Sequence, residues 1–154
     1  MKKTIIAGGL VSLLSTAAMA ESIGVSMSSF DDNFLTVLRN GMMEYAGSLE
    51  DVDIQVEDAL NDVGKQLDQI NNFIASGVDA IIVNPVDTSA TQAMSDAANT
   101  AGVPLVYVNR EPINVDSMPD NQAFVGSDER ESGSLQTVAI CDMLGAAGKD
   151  PAEI

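Results

Sequence analysis

The sequence predicts an α/β fold in which a parallel β-sheet carries helices on both of its faces. Short apolar runs alternate with amphipathic helical patterns along the chain, and the connections between them are short. That alternation is typical of parallel sheets joined by right-handed crossovers. Two of the runs are apolar at every position, as expected for strands that are covered on both faces.

Residues 1–20 predict a cleaved signal peptide that is not part of the fold. Lys2 and Lys3 form a basic start, an apolar stretch follows, and Ala18-Met19-Ala20 is a small-x-small cleavage site. The apolar stretch is too short to span a membrane. We therefore expect an exported chain whose mature form begins at Glu21.

The first strand and helix are predicted on either side of a polar turn. Ile23–Met27 reads as a buried strand, and the helix after it shows one apolar stripe at helical spacing, made of Phe34, Leu38, Met42 and Tyr45. The turn Ser28–Phe34 between them carries two adjacent carboxylates, an amide and two aromatic rings. A carboxylate beside an aromatic ring suits a sugar or polyol, because its oxygens accept hydroxyl protons while the ring packs against a C–H face.

Four more strands follow at regular intervals. They are predicted at Val52–Val56, Ala80–Val83, Pro104–Val108 and Ala123–Gly126. The first of these alternates in polarity and buries one face, whereas the next two are apolar throughout. Asn84-Pro85 ends the third strand of the chain, because proline cannot continue the ladder.

Three more helices lie between and after these strands. The second helix shows an apolar stripe and closes at Gly77; the third begins at Thr88 or Ser89, has a stripe of small residues and closes at Gly102. The stripes consist of Val63, Leu67, Ile70 and Ile74 in the second helix, and Ala90, Ala93, Met94, Ala97, Ala98 and Ala101 in the third. The fourth helix is capped at Ser127 or Asp128 and runs to about Leu144. Ala152–Ile154 resembles the approach to another strand, so we expect the chain to be truncated.

Composition excludes several classes of function. The chain has no His and a single Cys, Cys141, which removes the commonest general base, the commonest metal ligand and the usual catalytic triads. Cys141 falls on a helical pattern and is expected to be a buried thiol. The net charge of −16 becomes −18 once Lys2 and Lys3 are removed, and such a field disfavours nucleic acid and anionic membranes as partners.

Polar groups are expected to converge at the carboxyl ends of the strands. In a 2-1-3-4 strand order the turns after the first, third and fourth strands share one edge, where open α/β sheets bind their ligands. Asp32 can accept two hydroxyl hydrogen bonds, Asn109 can donate and accept, and Arg110 offers a planar fork of donors. Phe34 would supply an apolar wall.

Each of these residues also has a purely structural explanation. Asp31–Asn33 can do no more than cap the helix, Asn84 can brace the turn at Pro85, and Arg110 can pair with Glu111 or Asp32. The convergence of several polar groups at one edge is a stronger signal than any one of them.

The sequence resembles the amino-terminal half of a periplasmic sugar-binding protein of the ribose, galactose/glucose and inositol-binding family. The resemblance rests on three stretches: Phe30–Phe34, Val83–Asp87, and Asn109–Pro112 together with the later Val125–Gly133. It covers Glu21 to about Leu144. It implies a flavodoxin-like first lobe over residues 21–125, with residues 126–154 forming the first crossing and the start of an incomplete second lobe.

The resemblance also implies a function and a set of contacts. Family members are periplasmic receptors that deliver a monosaccharide or cyclitol to an ABC permease in the inner membrane, and in some cases to a chemoreceptor. Asp32, Phe34, Asn109 and Arg110 match positions that contact ligand, and Asp31, Asn33 and Asn84 would lie in a second layer. The resemblance implies no catalysis and no cofactor. Galactose/glucose-binding members carry a calcium loop, but Gly145–Ile154 lacks its D-x-[DN]-x-[DN]-G pattern, so we expect no metal.

Other α/β proteins explain the same pattern less well. A flavodoxin-like receiver domain places paired acids where Asp31 and Asp32 stand, but it needs an acceptor Asp where this chain has Asn84. An exported glycosidase could use Asp31 and Asp32 as its acid pair, yet adjacent residues rarely give the separation that hydrolysis needs. A dinucleotide enzyme would need G-x-G-x-x-G after the first strand, and a sugar-responsive repressor would begin with a helix-turn-helix.

Overall fold

A computed structural model describes residues 20–148 of the chain. Residues 1–19 of the predicted signal peptide (residues 1–20) and residues 149–154 of the tail lie outside the described residues. Within the described residues nine strands and helices follow one another: β1 (Glu21–Met27), α1 (Asn33–Gly47), β2 (Val52–Asp58), α2 (Val63–Ser76), β3 (Ala80–Val83), α3 (Thr91–Ala101), β4 (Leu105–Val108), β5 (Gln122–Val125) and α4 (Glu129–Ala146). Two short 3-10 turns, Thr88–Ala90 and Val115–Ser117, lie in the connections.

The five strands form one parallel sheet in the order β2-β1-β3-β4-β5. The central strand β1 pairs on one side with β2 and on the other with β3; Val25, for example, lies opposite both Val56 and Ile82. The predicted α/β fold and its 2-1-3-4 order are therefore confirmed. The strand order reverses at β1 and β3, which is where a crevice opens outside the carboxyl ends of a parallel sheet.

Each face of the sheet carries its own apolar core. On one face α2 and α3 pack Ile70, Phe73 and Met94 against β3 and β4. On the other face α1 packs Leu35 against Val25 and Met27 of β1. Helices on both faces are thus confirmed. Gly24 of β1 lets α2 approach closely, because an added Cβ would lie 2.5 Å from Cγ of Phe73.

Two predicted helix faces are wrong in detail. In α1 the inward residues are Leu35, Leu38, Met42 and Ala46, while Phe34 and Tyr45 are 59% and 69% exposed. In α3 the buried residues are Thr91, Met94, Ser95 and Ala98, whereas Ala93 and Ala101 are exposed. The buried Thr and Ser side chains of α3 have hydrogen-bond partners, so a polar residue in this helix need not lie on its exposed face.

The start of the third helical segment is also corrected. Asp87, not Thr88 or Ser89, caps the 3-10 turn that precedes α3, and its Oδ1 accepts a 2.8 Å hydrogen bond from the Ser89 N–H. That contact lowers the pKa of Asp87. The predicted left-handed glycine caps are confirmed, with φ of 75° at Gly77 and 71° at Gly102.

Helix α4 lies at the end of the described chain and buries none of its residues. Its predicted cap is confirmed as Asp128, whose Oδ1 accepts from the N–H groups of Arg130 and Glu131. Cys141 is only partly buried, because nothing packs over this helix as a core. Within residues 20–148, no helix combines the length and apolar composition of a membrane span.

Candidate functional site

The predicted site residues come together at the carboxyl edge of the sheet. Asp32 follows β1, Asn84 follows β3, and Asn109 and Arg110 follow β4, three strands that are adjacent in the sheet. The parallel arrangement brings all three strand ends to the same edge. The β2 end, at Asp58, flanks this group on the outer side.

Asp32 is the N-cap of α1, so it has the capping role that a purely structural explanation assigns to it. Its Oδ1 accepts a 2.8 Å hydrogen bond from the Leu35 N–H. Its Oδ2 has no hydrogen-bond partner in the part of the chain that the structure describes, and the residue is exposed. The cap holds one carboxylate oxygen at the end of β1 and leaves the other exposed. Capping and ligand binding are therefore compatible at this residue.

The neighbours Asp31 and Asn33 are exposed and have different local roles. The Asp31 N–H donates to Oγ of Ser29 at 3.1 Å, and Asn33 is the first residue of α1. Neither side chain is held by a hydrogen bond from another described residue. They surround the Asp32 carboxylate without fixing it.

Phe34 and Asn109 line the same shallow cavity. Its volume is about 320 Å³, and Leu38, Val108, Val125, Gly126 and Ser127 complete its wall. Phe34 is 59% exposed even though it is a large apolar residue in the first turn of a helix. An exposed aromatic ring at the mouth of a crevice can pack against the C–H face of a ring-shaped ligand. The predicted apolar wall is thus available at this edge.

Asn109 adopts a left-handed backbone conformation, with φ of 68°. Asn tolerates this region better than most side chains. The Asn109 N–H donates to the Val125 carbonyl at 2.9 Å, which ties the end of β4 to the end of β5. An added Cβ at Gly126 would meet the ring of Phe124 and the Asn109 carbonyl, so a larger residue there would displace that ring. Among the described residues, none forms a hydrogen bond with the Asn109 side chain.

Arg110 binds backbone carbonyls instead of a carboxylate. Its Nη1 donates to the carbonyls of Pro85 and Val86, at 2.9 and 2.8 Å. The structural alternative, a pairing of Arg110 with Glu111 or Asp32, is not seen among the described residues; the guanidinium binds the loop after β3 instead. One nitrogen is occupied in this way, and the others remain free to donate to a ligand.

Asn84 is completely buried and joins three strand ends. Its Oδ1 accepts from Oγ of Ser28 at 2.6 Å, and its Nδ2 donates to the Val108 carbonyl at 3.2 Å. It therefore braces the ends of β1, β3 and β4, a wider role than the predicted brace at the Pro85 turn. A side chain so placed supports this edge from beneath and is not exposed at it.

The sequence interpretation missed a buried polar network beneath this edge. Gln66 and Gln69 of α2 point inward and are 0% and 4% exposed. Oγ of Ser26 donates to Oε1 of Gln69 at 2.7 Å, and Nε2 of Gln66 donates to Oγ of Ser26 at 3.1 Å. The position of the two glutamines in α2 could have indicated their burial. Both lie on the same helical stripe as Ile70 and Phe73, where an apolar residue would be expected.

The described residues hold no group of three or more His, Cys, Asp or Glu side chains arranged to bind a metal ion. The edge offers an aromatic ring and an amide in one cavity, and a carboxylate and a guanidinium at the same strand ends, next to them in the sequence. Such a set suits hydrogen bonding to a hydroxylated ring.

A parallel α/β lobe with a crevice at the carboxyl edge of its sheet is an arrangement that suits the binding of a small solute. The chain belongs to the periplasmic binding protein domain family, whose model matches residues 23–150. This membership decides against the receiver-domain and glycosidase interpretations, because the family consists of substrate-binding proteins of transporters and not of enzymes. The recognised resemblance is thereby confirmed at the level of the family.

Individual members of this family show how similar the chain is to proteins with a named ligand. A protein of Rhizobium meliloti that is designated rhizopine-binding is 62% identical, and the match covers 97% of this chain and 48% of that protein. The ribose import binding protein of Bacillus subtilis is 31% identical over 83% of this chain and 40% of its own length. A solved ABC transporter solute-binding protein of Bacillus halodurans, with bound myo-inositol, superimposes with a TM-score of 0.76 at 39% identity, covering 85% of this chain and 44% of that one.

The chain spans about half the length of the relatives that it matches. The matched half contains the whole five-stranded sheet and its crevice.

Proposed function

We propose that the chain is the first lobe of an exported receptor that captures a cyclitol or monosaccharide and delivers it to an ABC permease of the inner membrane. The observation that carries this proposal is the crevice at the carboxyl edge, where Phe34 and Asn109 share one cavity beside Asp32 and Arg110. The 62% identical relative is designated rhizopine-binding, and the 39% identical structure holds myo-inositol. The function is capture and release, without catalysis.

The geometry suits a hydroxylated ring. The unbonded Oδ2 of Asp32 accepts ligand hydroxyl protons, and the free nitrogens of Arg110 donate to ligand oxygens. The Asn109 amide matches a hydroxyl in either orientation, and Phe34 packs against the C–H face of the ring. Both charged groups form the stronger, charge-assisted class of hydrogen bond.

Within this class we favour a cyclitol of the myo-inositol type over galactose or glucose. The support is the myo-inositol bound by the 39% identical structure, which is more similar to this chain than the 29% identical galactose/methyl-galactoside binding protein of Haemophilus influenzae. Myo-inositol has a hydroxyl group on every ring carbon, and the edge offers both acceptors and donors to them.

The proposal is tested by titrating the isotopically labelled chain with millimolar myo-inositol, galactose, glucose and ribose and following backbone amide shifts. Myo-inositol should move the amides of Phe34, Asn109 and Arg110 more than the other sugars do. Phe34→Ala should abolish the effect. Tyr45→Ala is the matched control, since Tyr45 is an equally exposed aromatic residue of the same helix, at its far end. Shifts confined to other surfaces, or a response that survives Phe34→Ala, would contradict the proposal.

Export to the periplasm by a cleaved signal peptide belongs to the same proposal. The Ala18–Ala20 site would leave Glu21 as the first residue, and Glu21 is where β1 begins. The Glu21 nitrogen donates to the Asp51 carbonyl at 2.8 Å, a bond that a new amino terminus at this position can keep. Mass spectrometry of periplasmic material should show a chain starting at Glu21; periplasmic protein that retains Met1 would refute the cleavage.

A further inference from the structure

We propose that Gln66, a buried residue of α2, positions Arg110 for ligand binding by holding the loop to which the guanidinium is bonded. This inference rests on the proposed function, because it assigns Arg110 to the ligand site. Gln66 does not itself reach the crevice; it is completely buried. It acts through residues 84–86, the loop that follows β3.

Gln66 holds this loop from beneath at two points. Its Oε1 accepts from the Val86 N–H at 2.8 Å, and its Nε2 donates to the Asn84 carbonyl at 3.0 Å. The two bonds lie on either side of Pro85, which has no N–H and a fixed φ. One amide side chain therefore fixes both ends of the three-residue loop.

The same loop presents its carbonyl groups to Arg110. Nη1 of Arg110 donates to the Pro85 and Val86 carbonyls at 2.9 and 2.8 Å. Val86 thus donates its N–H to Gln66, and its carbonyl accepts from Arg110. A loop that tilted would move both carbonyls and release the guanidinium, whose free side chain has large rotamer entropy. Restraining that side chain before the ligand arrives reduces the ordering that binding requires.

Gln69 provides a matched control within the same network. It lies three residues further along α2 and is equally inaccessible, at 4% exposure. Its Oε1 accepts from Oγ of Ser26, and its Nε2 donates to the Asp58 carbonyl at 2.9 Å, so it supports the end of β2. Replacing Gln69 removes comparable buried hydrogen bonds without touching the loop that holds Arg110.

The first experiment observes Arg110 without any ligand. In the exported chain, the side-chain Nε–H resonance and relaxation of Arg110 should report an ordered guanidinium in the wild type. Gln66→Met should make Arg110 mobile and speed amide exchange at Val86, whereas Gln69→Met should leave both signals unchanged. If Gln66→Met does not fold, Gln66→Asn serves instead, because its shorter amide stays polar but stops short of the Val86 N–H. An Arg110 that stays ordered in the folded Gln66 variant would overturn the proposal.

The second experiment is a double-mutant cycle on myo-inositol affinity, measured in a receptor in which this lobe is followed by a second one. Gln66→Met should weaken binding about tenfold, the size of one charge-assisted hydrogen bond, and Gln69→Met should change it less than about twofold. In an Arg110→Met background Gln66→Met should have no further effect, because the residue it positions is gone. Additive losses would overturn the positioning role. A two-lobed receptor that binds no ring ligand, while Arg110 loosens in Gln66→Met, would reject the proposed function and leave the structural link to Arg110 standing.

Discussion

Asp32 has two roles under the proposed function: Oδ1 caps α1, and Oδ2, which has no partner among the described residues, accepts from the ligand. A substitution here should then change both helix stability and ligand affinity. The two effects can be separated because Asp62 caps α2 in the same way, with Oδ1 accepting from the Lys65 N–H at 2.9 Å, and is not part of the proposed site.

In a receptor that includes the second lobe, Asp32→Ala should cost more affinity than Arg110→Lys. Losing the carboxylate leaves ligand hydroxyls without a charged acceptor in a closed cleft, where such bonds contribute roughly 1.5–3 kcal/mol. Arg110→Lys keeps the charge and one donor and loses the fork geometry. We expect a ratio of about tenfold in dissociation constant, measured by calorimetry with the cognate ligand.

Asp62→Ala is the control for this comparison. It should lower the free energy of unfolding by about 1 kcal/mol, as Asp32→Ala does through its lost cap, and leave affinity unchanged. If Asp32→Ala binds like the wild type while the fold is intact, Asp32 is a helix cap only, and the site assigned to this turn is wrong.

Tyr107 makes the fold sensitive to alkali. It is fully buried, its hydroxyl donates to the Thr91 carbonyl at 2.7 Å, and burial raises its pKa to about 12. The unfolded chain loses this proton near pH 10, so between about pH 10 and about pH 12 the free energy of unfolding should fall as pH rises, by up to about 1.4 kcal/mol per pH unit.

The titration can be isolated because the chain has only two tyrosines, Tyr45 and Tyr107. In Tyr45→Phe, tyrosinate absorbance reports Tyr107 alone, and folded protein should show little tyrosinate at pH 10. Denaturant unfolding at several alkaline pH values gives the stability. Tyr107→Phe should remove this part of the pH dependence, and a pH dependence identical to that of the wild type would exclude Tyr107 as its source.

Among the secondary-structure elements, α4 has the least support. None of its residues is buried, and Leu135, Val138, Ile140 and Met143 are each more than half exposed. Helix α2, by contrast, buries Ile70 and Phe73 in the core. Tertiary packing supplies most of the stability of a helix in a protein, so α4 should open far more readily than α2.

Hydrogen exchange should therefore show amides of α4 exchanging much faster than those of α2 in a monomeric sample. Gly133→Ala should slow exchange in α4, because Ala favours a helix by about 1 kcal/mol over Gly and its Cβ would meet no other atom within 4 Å. Strong protection of α4 in a proven monomer would contradict this account. Protection that appears only at high concentration would indicate self-association through the apolar residues.

The order and position of the elements could be predicted from the sequence, but the inward faces of α1, α2 and α3 could not be predicted in full. Apolar runs and glycine caps located every strand and helix to within a few residues, because these patterns depend on local chemistry. Gln66, Gln69, Thr91 and Ser95 are buried, and polarity alone assigns such residues to the surface. Their burial depends on partners far along the chain, such as Asn84 for Gln66 and Tyr107 for Ser95.

The site could be predicted as a set of residues but not as a set of contacts. Parallel topology brings Asp32, Asn109 and Arg110 to one edge, and this follows from strand order alone. The left-handed Asn109 and the bonds from Arg110 to the Pro85 and Val86 carbonyls depend on loop geometry that a sequence pattern does not specify.

For the whole molecule, the central claim is that this lobe forms one side of a ligand cleft. Its crevice is open, with Asp32, Phe34 and Arg110 all exposed. In a crevice open to water each hydrogen bond to a ligand hydroxyl contributes only about 1 kcal/mol, and a closed cleft strengthens such bonds by excluding water. The relatives that the chain matches are about twice its length, which leaves room for a second lobe of similar size.

The most direct test is calorimetry of myo-inositol binding to the present chain and to a receptor in which the same lobe is followed by a second one. We predict millimolar affinity or none for the chain, and micromolar or tighter binding for the two-lobed receptor, a difference of at least about 4 kcal/mol. Micromolar binding by the chain alone would contradict the account, because it would mean that one lobe suffices to desolvate and hold the ligand.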